Sequence, residues 1–283
     1  MPAISNSSAF RNAERVLPQH QAALTLLQAR LSTPGIQVLS WLDLACGRGQ
    51  ILVSLEDNLS AEARAKIDYW AFDLDQDYAR ETQKTAERLS FASLQSKVGD
   101  LSDFDQLLPT NARYDFITLT NTVHEIDPAR LAGLLVSCIV RLTDTGTLFI
   151  YDMEQVKPPE LGAVPWSRDD IKRLVRCMLD ALGATAYRPE VGLWNHRSCN
   201  GWNVQLERQH LGISPTDVVG RVDTATDATR EEVSHLLEQR LVECRATLER
   251  LTQYGAETVE EQEDKERLLY EFWALSRAME DRQ

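Results

Sequence analysis

The sequence predicts an α/β protein: a doubly wound, mostly parallel, seven-stranded sheet with a terminal β-hairpin, an N-terminal helix ahead of it and a C-terminal helical hairpin behind. Three observations predict this. Short apolar runs alternate five times with stretches of helical period, and parallel neighbours need such crossover connections. After Gly183 the pattern changes to two β-rich segments, and beyond Ser214 it is helical throughout. The chain therefore divides into an N-terminal helical segment, 1–36, a sheet domain, 37–213, and a helical appendage, 214–283.

Residues 1–8 are small and polar and are expected to fray, whereas Phe10 to Leu31 spaces Val16, Leu24, Leu27 and Leu31 at helical intervals, interrupted near Pro18. Val38 to Leu44 is an apolar run closed by Gly47-Arg48-Gly49, the pattern of a strand buried on both faces that turns sharply into a helix marked by Ile51, Leu52, Leu55 and Leu59. Further strands are expected at Ile67 to Phe72, Gln95 to Val98, Tyr114 to Thr120 and Thr147 to Tyr151, with a helix from Asp77 to Leu89 between the first two. Asp127-Pro128 reads as an N-cap with proline in the first helical turn. Ser167 caps a helix whose face is Ile171, Leu174, Val175, Met178, Leu179 and Leu182, with Gly183 just past its end. The hairpin is expected to pair Ala184 to Val191 with Gly201 to His210. In the appendage Val233, Leu237, Leu241, Cys244, Leu248 and Leu251 repeat at intervals of four and three, a helix–helix seam, and Leu268, Leu269, Phe272, Trp273 and Met279 mark a second helix.

Composition narrows the function. Of 283 residues, 43% are hydrophobic, enough for a large core and too many for a disordered chain. A net charge of −13 disfavours bulk nucleic acid as a partner, and residues 221–283, with 9 bases against 16 acids, carry over half of it. The most apolar stretch, Leu131 to Leu142, is too short and too interrupted for a membrane span, and no secretory signal core is present. Five scattered cysteines without a CxxC pair fit a reducing cytoplasm and give no zinc-site spacing, so no metal is expected.

Glycines directly after a buried strand let backbone approach a ligand that side chains would block. Leu52 stands where a dinucleotide fingerprint wants a third glycine, Gly-Lys-Ser/Thr is missing, and Asp43 ahead of the turn would repel a pyrophosphate but suit a ligand with a cationic end. From about Val38 to His210 the sequence resembles the class I S-adenosylmethionine-dependent methyltransferases, whose motifs match in order. Asp43 to Gly49 looks like the first motif, which implies that Ala45, Cys46, Gly47 and Gly49 hold the methionine part of S-adenosyl-L-methionine while Asp43 faces its ammonium directly or through water. The resemblance implies that Asp73, next to Leu74, accepts the ribose hydroxyls, that Asp100 and Leu101 meet the adenine, and that Thr120 and Asn121 lie beside the transferring methyl. Asp73 as a helix-capping acid and Asp100 as a turn residue are the plainer roles. Arg48 is expected to be solvated or paired, and Cys46 to fill the turn rather than act as a nucleophile.

The acceptor is less legible. His124-Glu125 follows the fourth strand, so both are candidate catalytic residues: His124 takes a proton from a hydroxyl or amine, or else caps the next helix. Asp152 and Glu154 follow the fifth strand and could bind a cationic or polyhydroxylated acceptor or stay solvated, and Trp166, Trp194, His196 and Trp202 could wall a pocket. Asn121-Thr122-Val123-His124 lacks the prolines of adenine and cytosine amino-methylating members, and the Pro-Cys of cytosine-carbon methylation is missing. A methyltransferase acting on an oxygen or nitrogen of a small-molecule or protein acceptor is therefore expected. The alternative is a non-catalytic module that holds the cofactor and recruits a partner through residues 214–283, which could also form a homodimer seam.

Overall fold

A computed structural model describes residues 18–196, 199–255 and 258–280. The expected fraying of residues 1–8 and the helix start at Phe10 lie outside them, as do Arg197 and Ser198 of the hairpin turn. In chain order the elements are α1 (Pro18–Leu31), β1 (Leu39–Leu44), α2 (Gln50–Asn58), α3 (Ala61–Arg64), β2 (Ile67–Asp73), α4 (Gln76–Leu89), β3 (Ser93–Val98), α5 (Phe104–Leu107), β4 (Tyr114–Thr120) and α6 (Pro128–Val140). They continue with β5 (Leu142–Met153), α7 (Arg168–Leu182), β6 (Val191–His196), β7 (Cys199–Glu207), α8 (Pro215–Gly220), α9 (Val222–Tyr254) and α10 (Val259–Glu280). The seven strands form one sheet in the order β3-β2-β1-β4-β5-β7-β6. Parallel pairing joins β1 to β2, β1 to β4 and β2 to β3, while β6 and β7 pair antiparallel, so the doubly wound sheet with a terminal hairpin is the observed fold class.

Two compact units divide the chain. The first holds the described residues up to Thr120 with Arg141–Ile150 and Leu206–Gln209. Its centre is β1, where Leu39, Trp41, Leu42 and Leu44 are wholly buried, as a strand covered on both faces requires. Trp41, Tyr69 and Phe116 pack ring on ring across β1, β2 and β4. Arg141, also buried, donates to the carbonyls of Asp105, Pro109, Thr110 and Ala112 and to the Asp105 carboxylate, closing the loop ahead of β4. Gly146 does not open β5, as expected, but sits inside it: a Cβ there would lie 2.7 Å from the Tyr114 carbonyl oxygen, so glycine is what lets the strand run back to Leu142.

The second unit holds Asn121–Val140, Tyr151–Gln205 and the described residues from His210 onward. Asp127 caps α6 by accepting the Ala129 N–H at 2.9 Å, and α7 begins with a capping box, Ser167 with Asp170, and ends on left-handed Gly183. The expected strand from Ala184 to Val191 is corrected: only Val191 belongs to β6, because a turn bonds the Tyr187 N–H to the Ala184 carbonyl and Pro189 offers no donor to a ladder. Its partner likewise ends at Glu207, where a short 3-10 turn takes over.

Helix α9 packs against α6, α7 and α10. Val233, Leu237, Cys244 and Leu251 of the expected seam are buried there, whereas Leu241 and Leu248 are half-buried. The stripe that suggested a second subunit is thus largely covered by helices of the same unit. On α10 the buried residues are Leu268, Ala274, Leu275 and Ala278; of the residues that mark the helix in the sequence, Leu269 and Trp273 are exposed. Arg173 of α7 clamps α9 through Glu232 and Gln239. Leu237→Ala is expected to cost about 2–5 kcal/mol of stability, the range for deleting a buried leucine, read as a lowered denaturant midpoint. Among the described residues no helix is long and apolar enough to cross a membrane.

Candidate functional site

The turn after β1 belongs to the first unit. Ala45, Gly47 and Gly49 hold φ of 53°, 54° and 75°, and two of these three left-handed positions fall on glycine, which adopts them without strain. The turn is bonded at each step. The Cys46 N–H donates to the Phe72 carbonyl (3.1 Å), the Gly47 N–H to Asp73 Oδ2 (2.8 Å) and Thr82 Oγ1 to the Gly47 carbonyl (2.8 Å). Thr82 lies on α4, wholly buried, and a Cβ on Gly49 would sit 3.1 Å from its hydroxyl.

Asp43 lies under this turn, 2% exposed. Tyr69 OH donates to its Oδ2 at 2.7 Å and Thr118 Oγ1 to its Oδ1 at 2.6 Å, and Trp41 Nε1 donates in turn to Thr118 Oγ1 at 2.8 Å. Burial lifts its pKa to about 6, only partly offset by the two hydroxyl donors, and the nearby Asp73 charge adds to the lift. Burial first, and then the charges of Asp43 and Asp73, push the Cys46 thiol far up, which disfavours the thiolate form that a nucleophile needs.

Asp73 does not cap α4; Asp75 does, accepting from Asp77 and Tyr78. Asp73 instead accepts the N–H of Gly47 through one oxygen and that of Asp75 through the other, the latter at 2.9 Å, and its carbonyl accepts the Gly99 N–H, which brings Asp100 to the same edge. Asp100 is exposed and accepts the Ser102 N–H, Leu101 is half-buried and Leu74 is 69% exposed. Thr120 ends β4, half-buried. Arg48 is paired, 3.4 Å from Glu81 and stacked over Tyr78. Asp43, the Gly47 turn, Asp73 and Gly99-Asp100 are therefore gathered in one cradle of carboxylates and backbone. Sequence inspection missed Thr82, Tyr69 and Thr118. Thr118 sits directly across from Asp43 in the β1–β4 register, and no local spacing reveals a parallel register.

The second constellation lies in the second unit. Asn121, with φ 56°, donates its N–H to the Tyr151 carbonyl and leads into a 3-10 turn, Val123–Glu125. His124 is 3% exposed, and Asp152, at 1%, holds it twice: Oδ2 accepts the His124 N–H and Oδ1 faces Nδ1, both at 2.7 Å. Oδ1 also accepts the Met153 N–H. Asp152 is thus the buried partner of His124, which corrects the picture of a solvated or acceptor-binding acid. Glu154 is occupied by the Arg168 N–H. On the other ring edge, Nε2 lies 3.8 Å from both Glu125 Oε1 and Glu160 Oε2. Burial lowers the imidazole pKa, but the hydrogen bond and charge of Asp152, then Glu125 and Glu160, outweigh it and leave it above the ordinary value. Glu160, in a loop with no pattern, was not foreseen. Trp166 and Trp202 are wholly buried, with Trp202 Nε1 bonded to the Trp166 carbonyl, so they are core and not pocket wall.

This seven-stranded sheet and its strand order are similar in fold to solved methyltransferase structures. A carbon methyltransferase, DszA, superimposes with a TM-score of 0.50 at 17% identity, covering 69% of this chain and 53% of its own. Magnesium protoporphyrin IX methyltransferase of Synechocystis PCC 6803, solved with bound S-adenosylhomocysteine, gives 0.48 at 14% identity, covering 67% and 83%. The N-methyltransferase NodS of Bradyrhizobium japonicum WM9 gives 0.44 at 12%, covering 71% and 98%. No family model matches the chain, and no curated protein matches it in sequence. At 17% identity the likeness to DszA carries the fold alone and leaves the reaction to the site.

Proposed function

We propose that this protein is a methyltransferase that moves a methyl group from S-adenosyl-L-methionine to an oxygen or nitrogen of a small-molecule or protein acceptor. The observation that carries the proposal is the cradle, where three carboxylates and a glycine turn converge and the one arginine of the turn is engaged elsewhere. Such a donor set suits a ligand with an ammonium, a ribose diol and an adenine amine, and not a pyrophosphate. When bound, the cofactor supplies an electrophilic methyl group. Asp43 is assigned to its ammonium, the backbone of Ala45, Cys46, Gly47 and Gly49 to its methionine part, Asp73 with Leu74 to the ribose, Asp100 with Leu101 to the adenine, and Thr120 and Asn121 to the neighbourhood of the methyl. His124 and Glu125 are assigned to the acceptor, whose attacking atom must shed a proton. The free thiols of Cys46, Cys138, Cys177 and Cys244 support a cytoplasmic setting as part of the same proposal.

Calorimetry with S-adenosylmethionine against NAD tests the cofactor, and a methyl-transfer screen over metabolites and proteins tests the acceptor. Binding of NAD in place of S-adenosylmethionine would overturn the proposal. A pH dependence follows from Asp43. Its free-protein pKa of about 6 lies above the usual carboxylate range, and a cationic ligand binds only the ionised form. As pH falls below that value affinity should decline by up to about tenfold per unit, since binding must then drive off a proton. Titrations between pH 5 and 7 check this, and Asp43→Asn should flatten the slope.

A further inference from the structure

Between the loop after β5 and α10 lies a cavity of about 20 Å3, lined by Val156, Pro159 and Glu160 on one side and Arg267, Tyr270 and Glu271 on the other. That is room for one oxygen-sized group. Its loop is tied to the candidate site: the Val164 N–H donates to the His124 carbonyl at 2.8 Å, and Glu160 Oε2 lies 3.8 Å from His124 Nε2. Its helix side belongs to a buried charge network. Glu271 accepts from Arg240 Nη2 at 2.5 Å through one oxygen and from Arg267 Nη1 at 3.1 Å through the other. One carboxylate is thus shared by two guanidiniums, 13% and 21% exposed. Asp264, 3.4 Å from Arg267 Nη2, is 57% exposed, so solvent screens it.

Arg240 Nη1 and Arg267 Nε are buried, and among the described residues no acceptor meets either of them. The same holds for Nε1 of the wholly buried Trp166, whose ring centroid lies 5.6 Å from the Arg240 guanidinium carbon. A buried donor without an acceptor is costly and uncommon. All three orphans of this network are donors, so an acceptor is what satisfies them, and the surplus guanidinium charge favours an anion.

We propose that this cavity receives the carboxylate of an organic acid, gripped by Arg267 and Arg240, and that the acid is the methyl acceptor. A planar carboxylate can enter by one edge, placing a single oxygen in the cavity, whereas a tetrahedral phosphate needs more room. Guanidinium forks match carboxylate geometry. Arg240, stacked on Trp166, is the fixed partner; Arg267, the more exposed of the two, turns its Nε–H onto the incoming oxygen. Tyr270, 41% exposed, stands at the mouth, and the body of the acid extends past Glu160 toward His124. That the acid is the acceptor rests on the proposed function; carboxylate binding itself does not.

The test uses the full chain isotopically labelled at its arginine nitrogens, with the Arg240 and Arg267 Nε–H resonances assigned by their loss in Arg240→Lys and Arg267→Lys. Acetate is titrated beside acetamide and beside chloride at equal ionic strength. The expected result is a saturable shift of the Arg267 resonance with acetate alone, weakened roughly tenfold in Arg240→Lys, which keeps the charge and loses the fork. Arg267→Lys, read at the Arg240 resonance, supplies the same comparison where the first variant does not fold. Equal responses to acetate, acetamide and chloride overturn the proposal, as does an acetate shift indifferent to both variants. Calorimetry with S-adenosylmethionine on the same samples keeps the two proposals apart. Acetate binding by a chain that takes no cofactor removes only the methyltransferase assignment, and cofactor binding without an acetate response removes only this site. On an acid acceptor found by screening, Arg267→Lys should raise KM about tenfold with kcat nearly unchanged; acceptors that all lack a carboxylate overturn the substrate assignment.

Discussion

His124→Asn is expected to lower methyl transfer by a factor on the order of 10²–10⁴, the range contributed by a group that handles a proton at the reacting atom, with affinity for S-adenosylmethionine nearly unchanged. The asparagine amide can still donate toward Asp152 where Nδ1 stood, so a carboxylate only 1% exposed keeps a partner and the fold survives. What disappears is Nε2, the atom that lies toward Glu125 and Glu160. Steady-state rates on the acceptor found by screening, together with cofactor calorimetry, decide the matter. Turnover equal to wild type would reduce His124 to a cap for the turn before α6.

Asp73→Ala is expected to damage cofactor binding more than any other single truncation in the cradle. Hydrogen bonds to a charged carboxylate contribute about 1.5–3 kcal/mol each, roughly ten- to a hundredfold in affinity apiece, and a ribose diol would accept no substitute from alanine. The same truncation strips the Gly47 and Asp75 N–H groups of their acceptor, so the glycine turn should loosen and the thermal midpoint should drop as well. Asp73→Asn, which keeps one carbonyl oxygen, separates the effects by restoring part of the midpoint without the affinity. A folded Asp73→Ala protein with wild-type cofactor affinity would remove the residue from the site.

The sheet was legible because each buried strand is announced by an apolar run and each helix by its own face and cap, as at Leu39–Leu44 and Ser167–Gly183. The hairpin was misplaced because Ala184 to Tyr187 carries strand-like residues that a tight turn and a proline withdraw from pairing. On α10 hydrophobicity alone misleads for a different reason: Leu269 and Trp273 look like core, yet the buried stripe runs through Leu268, Ala274, Leu275 and Ala278. At the site, the glycine turn was legible because its glycines directly follow a buried strand. Residues recruited across the register, Thr118 to Asp43, or across a long loop, Glu160 to His124, have no local signature, because their meaning is created only when the sheet and the loop after β5 close. Asp152 was visible, but whether an acid after a strand is solvated or buried depends on which backbone amides face it.

The covering of α7 by α9 gives the order of synthesis a physical consequence. Arg173 and Cys177 of α7 are made before residues 222–254, yet both bond to the helix those later residues form. On the ribosome this side of α7 therefore stays uncovered until residues 222–254 emerge, and a protein cut after residue 213 would keep it uncovered. The acidic helices α9 and α10 thus complete the second unit only after its other helices have been made, and a protein cut before them would carry uncovered helix surface that chaperones bind.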